Sequence, residues 1–146
     1  MANPAYHQVL HAGTRRIDLA LPQCMGVLSV TPDSFSDGAT LGDSRSPGFK
    51  VDPDKLLRSA EAMVSEGAAF LDVGGESTRP GAAAVSVEEE LERVVPAIEL
   101  LSSRFDVCLS VDTSSADVMR AAIEAGAELV NDVRALADAR ALDLIN

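Results

Sequence analysis

Four times in succession the sequence places a short apolar run, then a polar ending, then a helical period. The runs occupy residues 25–30, 70–73, 107–111 and 129–130. After the first, Pro53 suits the opening position of a helix, and Leu56, Ala60, Met63 and Val64 share one face. Gly67 ends that helix. After the second, Ser86 and Glu89 have capping-box spacing and lead into Leu91, Val94, Val95, Ile98 and Leu101. After the third, Ser114 or Ser115 caps a helix that turns Val118, Met119, Ala122 and Ile123 inward and stops at Gly126. A last helix is predicted over 137–145. Such alternation is restrictive. Parallel neighbours are joined by a crossover, and the crossover is right-handed.

Every run ends in polar chemistry: Thr31-Pro32-Asp33, Asp72 through Arg79, Asp112-Thr113 and Asn131-Asp132. A parallel barrel gathers its ligand at that end of its strands. The expected class is therefore α/β of the (β/α)8 type, holding an N-terminal hairpin and about four βα units. A closed barrel takes about eight strands and 250 residues. The 146 residues are thus expected to form a single domain, 1–146, that is the first half of a barrel, the rest being absent or supplied by a second copy or another chain. The hairpin is predicted over 6–20, around Gly13-Thr14. His7 and His11 within it read as strand residues, because no other metal-type residue is spaced with them.

The stretch 70–81 is the most telling. It begins as a buried strand, yet carries a carboxylate at Asp72, which is costly to bury without a partner. Gly74 and Gly75 allow close backbone approach. Ser77, Thr78 and Arg79 offer donors suited to an anion. Phe35, an apolar ring in the polar loop 31–38, needs a ligand or a closing lid to cover it. Residues 41–52 read as a surface loop. Pro96 falls inside the second helix, where it removes a hydrogen bond and predicts a kink.

A net charge of −11 argues against a nucleic-acid surface. No apolar run is long enough to span a membrane, and no secretion signal is visible, so a cytoplasmic protein is expected. Cys24 and Cys108 each open an apolar run and read as buried, reduced thiols.

Three stretches resemble the dihydropteroate synthase family. They are Met-Gly-Val-Leu-Ser-Val-Thr-Pro-Asp-Ser-Phe-Ser-Asp-Gly at 25–38, Asp-Val-Gly-Gly-Glu-Ser-Thr-Arg-Pro-Gly at 72–81, and Ser-Val-Asp-Thr-Ser at 110–114 with Val-Asn-Asp-Val-Arg at 130–134. The resemblance implies a (β/α)8 enzyme of folate biosynthesis. Such an enzyme joins 6-hydroxymethyl-7,8-dihydropterin diphosphate to p-aminobenzoate, releases pyrophosphate with Mg2+, and is the target of sulfonamides. It implies that Asp112 and Asn131 hold the pterin, and that Asp33 stabilises the charge left on the pterin methylene. Thr78, Pro80 and Phe35 would hold p-aminobenzoate, with Ser77 nearby. Arg79 would face the pyrophosphate, and Asp72 would brace the rim from behind. A homodimer is usual in the family.

Two departures stand out. Ser29 occupies the place where the family usually has an Mg2+-binding asparagine, so an intervening water would have to bridge to the metal. The family's later pterin aspartate, its lysine and its Arg-x-His lie beyond this sequence. A non-catalytic half-barrel that binds pterin weakly, or needs a complementing chain, is the alternative. A corrinoid-linked methyl transferase is disfavoured, because the motifs at 31–35 and 76–81 serve the p-aminobenzoate and pyrophosphate side.

Overall fold

The computed structural model describes residues 8–32, 51–77 and 84–145. Two short strands, β1 (Val9–Ala12) and β2 (Arg15–Asp18), pair antiparallel as the predicted hairpin. Next come β3 (Cys24–Ser29), α1 (Pro53–Ser65), β4 (Ala68–Gly74), α2 (Val87–Arg104), β5 (Cys108–Asp112), α3 (Ala116–Ala125), β6 (Leu129–Asn131) and α4 (Ala139–Ile145). The sheet order is β3-β4-β5-β6, all parallel. Neighbours in space are neighbours in sequence, as the short crossovers require.

Alternation along each strand separates two faces. Leu28, Val30, Leu71, Val73, Leu109 and Val111 face the helices and are almost wholly buried. They meet Leu56 and Ala60 of α1, Val94, Ile98 and Leu101 of α2, and Val118 and Ala122 of α3. Each such side chain contributes on the order of 1.5–3 kcal/mol by leaving water. All three helices thus cover one face. A doubly wound sheet would carry helices on both faces, so the arrangement is that of a (β/α)8 barrel. Among the described residues β3 and β6 each pair along one edge only.

On the opposite face the parallel register builds three rows. The lowest holds Met25, Phe70 and Cys108. The middle row is Val27, Asp72, Ser110 and Leu129, and the uppermost is Ser29, Gly74, Asp112 and Asn131. The hairpin closes the lowest row by packing Leu10, Ala12 and Ile17 against Phe70 and Cys108. Arg15 fastens it, donating from Nε to Glu128 and from Nη1 to Asp106 Oδ1 at 2.7 Å.

The local signals behave as the sequence reads, with informative exceptions. Asp52 caps α1, accepting from the Asp54 and Lys55 N–H groups, and Pro53 opens it. Ser86 accepts from the Glu89 N–H at 3.2 Å, and Ser115, one of the two serines considered, caps α3. Gly126 ends α3 at φ +120°, a conformation natural only to glycine. α2 runs unbroken through Pro96, which lies on the exposed side where water can satisfy the carbonyl left without its donor. Cys24, the first residue of β3, is exposed, whereas Cys108 is buried as expected. Ile123 is 38% exposed rather than inward, and Ala116, two turns earlier, is buried. His11 stands exposed opposite Arg16, while His7 and most of the loop 41–52 lie outside the described residues.

Candidate ligand site

The upper row sits where the strands end, and Asp72 lies just beneath it. Asp72 is only 3% exposed, and its Oδ2 accepts a hydrogen bond from Asn131 Nδ2 at 3.0 Å. Asp72 Oδ1 and Ser110 Oγ, neighbours in the middle row, are buried without a hydrogen-bond partner among the described residues. Asp112 and Asn131 are register partners on β5 and β6. Beside them opens a cleft of about 250 Å3 between Glu76–Ser77 after β4, Asp112–Ser114 after β5 and Val133–Arg134 after β6.

The electrostatics are one-sided. Burial pushes the Asp112 carboxyl above the usual range, and the charges of Asp72, Asp132 and Glu76 push it further. Glu90, 5% exposed on α2, is raised chiefly by burial and also by Glu76 and Asp112, while a hydrogen bond from Thr113 and the charge of Arg93 oppose the shift. Asp132 behaves oppositely. Burial alone would raise it, but the Ser114 hydroxyl and the N–H groups of Arg134 and Leu136 outweigh that and lower it. Those bonds hold a turn in which Ala135 (φ 53°) and Leu136 (φ 58°) occupy left-handed conformations unusual outside glycine. The rim is therefore rich in acceptors, and it suits a ligand edge that presents N–H donors.

Of the residues singled out in the sequence, Asp112 and Asn131 come together, Ser77 joins Asp112 in the cleft, and Ser29 lies in the same row across Gly74. Asp33, Phe35, Thr78, Arg79 and Pro80 lie outside the described residues. No cluster of three acidic, imidazole or thiol groups fit for a metal occurs among the described residues. Ser29 offers a neutral hydroxyl to the upper row, and Mg2+ held by few protein groups keeps several waters in its near-octahedral oxygen shell.

Two side chains near the rim escape a sequence reading. Glu90 and Arg93 are buried on the inner face of α2. Arg93 donates from Nη1 to the Gly75 carbonyl at 2.8 Å, and the Glu89 carboxylate lies 3.7 Å from its Nη2. Gly75 presses against this pair: a Cβ there would come within 2.9 Å of Val94 Cγ2 and 3.1 Å of Glu90 Cγ. The available signal was spacing, since residues 90, 94, 97 and 101 form one stripe and a carboxylate interrupts it.

Parallel βα units with an acceptor-rich rim at the strand ends define a ligand-binding protein of the (β/α)8 barrel class. The family described as pterin binding enzyme matches residues 25–146, and the chain belongs to that family. It is 48% identical over 134 residues to dihydropteroate synthase of Escherichia coli K12, covering 92% of this chain and 44% of that one. The Haemophilus influenzae enzyme of the same name is 48% identical over 134 residues, with 92% and 46% covered. Among solved structures, Xanthomonas albilineans dihydropteroate synthase with 4-aminobenzoic acid superposes with a TM-score of 0.81 at 46% identity, over 95% of this chain and 48% of that one. A Yersinia pestis dihydropteroate synthase in a sulfonamide drug complex gives 0.78 at 51% identity, over 93% and 46%. The chain thus spans rather less than half the length of the relatives it matches. No helix among the described residues is long and apolar enough to cross a membrane.

Proposed function

We propose that the chain is the N-terminal part of a dihydropteroate synthase, a single pterin-binding domain over 1–146 comprising the first half of the barrel. The activity is the condensation of 6-hydroxymethyl-7,8-dihydropterin diphosphate with p-aminobenzoate, giving 7,8-dihydropteroate and pyrophosphate. The observation that carries this reading is the Asp112–Asn131 pair over buried Asp72, at the strand ends of a chain close in sequence to synthases solved with 4-aminobenzoic acid and with 7,8-dihydropteroate. Asp112 accepts from the amino-pyrimidine edge of the pterin, and Asn131 reads the adjoining edge. Loss of the diphosphate leaves positive charge on the pterin methylene, and Asp33 stabilises it electrostatically. Arg79 faces the diphosphate. Thr78, Pro80, Ser77 and Phe35 hold p-aminobenzoate and keep water away. Mg2+ accompanies the diphosphate, largely on the substrate's own oxygens, with Ser29 reaching it through water. The two free cysteines suit a reducing cytoplasm, and a dimer of the complete protein belongs to the same reading.

Calorimetric titration with 6-hydroxymethyl-7,8-dihydropterin diphosphate tests it. Asp112→Asn is expected to weaken binding by about 1.5–3 kcal/mol, the scale for losing a charged hydrogen bond, or roughly 10- to 150-fold. Unchanged affinity would remove Asp112 from the site. Saturable binding by a chain that forms no dihydropteroate would favour the non-catalytic half-barrel, and light scattering on the same sample would reveal a complementing copy.

A further inference from the structure

Asp72 does more than support the rim. A carboxylate only accepts hydrogen bonds. Asn131 must therefore turn Nδ2, its donor end, toward Asp72, as the 3.0 Å contact records. Asn131 is itself exposed on the site face, whereas Asp72 is nearly inaccessible. The other end of the amide, Oδ1, accepts from no described residue. We infer that Asp72 is a positioning residue: it fixes the Asn131 amide so that the site presents Oδ1 as an acceptor alongside the Asp112 carboxylate, and so selects heteroaromatic ligands whose edge carries successive N–H donors.

The argument follows from the row geometry. Asp72 is one layer below the upper row, and Asp112 and Asn131 are register partners within that row. Without a fixed neighbour, an exposed asparagine amide turns over freely, and its donor and acceptor ends fit opposite ligand edges equally well. A buried acceptor behind it removes that freedom. Selectivity then comes as much from rejecting a ligand with a carbonyl at this edge as from attracting one with N–H groups. The ligand class rests on the pterin reading above; the amide orientation does not.

The test compares the full chain with Asp72→Asn by two measurements. Calorimetry gives the affinity ratio of pterin to lumazine, which carries a carbonyl in place of pterin's amino donor. The side-chain amide signals of Asn131 are followed by 15N NMR, assigned through their loss in Asn131→Asp. The unmodified chain is expected to prefer pterin by about tenfold or more, as a hydrogen-bonding site does when an analogue lacks the matching donor. Its Asn131 amide should show one downfield, slowly exchanging proton. In Asp72→Asn the preference should shrink by at least about threefold, because the freed amide can turn its NH2 to the carbonyl. Equal weakening for both ligands would leave Asp72 a merely structural part and overturn the inference. If neither ligand binds the unmodified chain, this half of the barrel does not hold pterin by itself, and the amide signals still decide the orientation. An Asn131 pair identical with and without the Asp72 carboxylate would overturn the inference. If Asp72→Asn does not fold, an unprotected, upfield amide pair in the unmodified chain would do the same.

Discussion

Gly74 and Gly75 are adjacent, yet the structure gives them opposite tasks, and alanine at each should fail differently. At Gly75 a methyl would lie 2.9 Å from Val94 Cγ2, 3.1 Å from Glu90 Cγ and 3.3 Å from the Glu90 carbonyl oxygen. Carbon atoms in contact sit at about 3.5–4.0 Å. None of these neighbours yields easily. Val94 is fully buried with a helix rotamer that is nearly fixed, Glu90 is 5% exposed, and the carbonyl is helix backbone. Overpacking costs about 1–3 kcal/mol, and this site belongs in the upper half of that range. For a chain of this size that lowers the melting temperature by about 4–12 °C. At Gly74 the methyl would meet Asp112 Cβ at 3.5 Å and Asp112 Oδ2 at 3.6 Å, ordinary contact distances. Gly74→Ala should therefore keep its stability within about 0.5 kcal/mol, or gain slightly because glycine weakens a strand. Its methyl instead enters the upper row beside Asp112 and should weaken pterin binding. Thermal and urea denaturation followed by circular dichroism, with calorimetry on the same samples, separates the two effects. If Gly74→Ala proves the less stable variant, or Gly75→Ala melts with the unmodified chain, the assignment of faces is wrong.

Two further outcomes follow from the charged groups. Glu90 has a raised folded-state pKa, so its contribution to stability is present in acid and is lost as pH rises through that value. Glu90→Gln should flatten the fall in melting temperature as pH rises above the ordinary glutamate range, and an unchanged slope would show that Glu90 is not the responsible group. Asp132 has a lowered folded-state pKa, so its contribution holds above the ordinary aspartate range and disappears as pH falls through the folded value. Asp132→Ala removes its bonds to Ser114, Arg134 and Leu136 and should cost about 1–3 kcal/mol at neutral pH, with the deficit against the unmodified chain closing in acid. A deficit that is the same at all pH values would assign the loss to packing.

Much of the architecture was legible because its signals are local and repeated. Strand–helix alternation, Ser86 as one cap and one of Ser114 and Ser115 as another, and Gly126 as a stop each depend on a few adjacent residues. Asp112 and Asn131 were legible as candidates for the same reason: each is a polar residue directly ending an apolar run. The bond from Asn131 to Asp72 was not, since it joins residues 59 apart and depends on register. Glu90 and Arg93 were missed because residue type argues for solvent, and only packing against Gly75 shows why they are inside. Ile123 was misplaced by counting an apolar residue inward at the margin of a helical face. Cys24 was misread because a strand's first residue need not share its core. Pro96 lies inside α2, on its exposed side, and the helix continues past it.

The clasp made by Arg15 has a consequence for the order of assembly. Residues 9–18 pair with one another as a hairpin, and each βα unit lies beside the one before it. Arg15, however, reaches Asp106 and Glu128, residues 91 and 113 positions away in the chain. During synthesis from the N-terminus, the segment made early completes its contacts only after β5 and β6 have emerged. Until then Leu10 and Ile17 have no Cys108 or Leu129 to cover. This delay gives a topology of otherwise short-range steps one long-range step, and it leaves a small apolar surface open while the chain is being made.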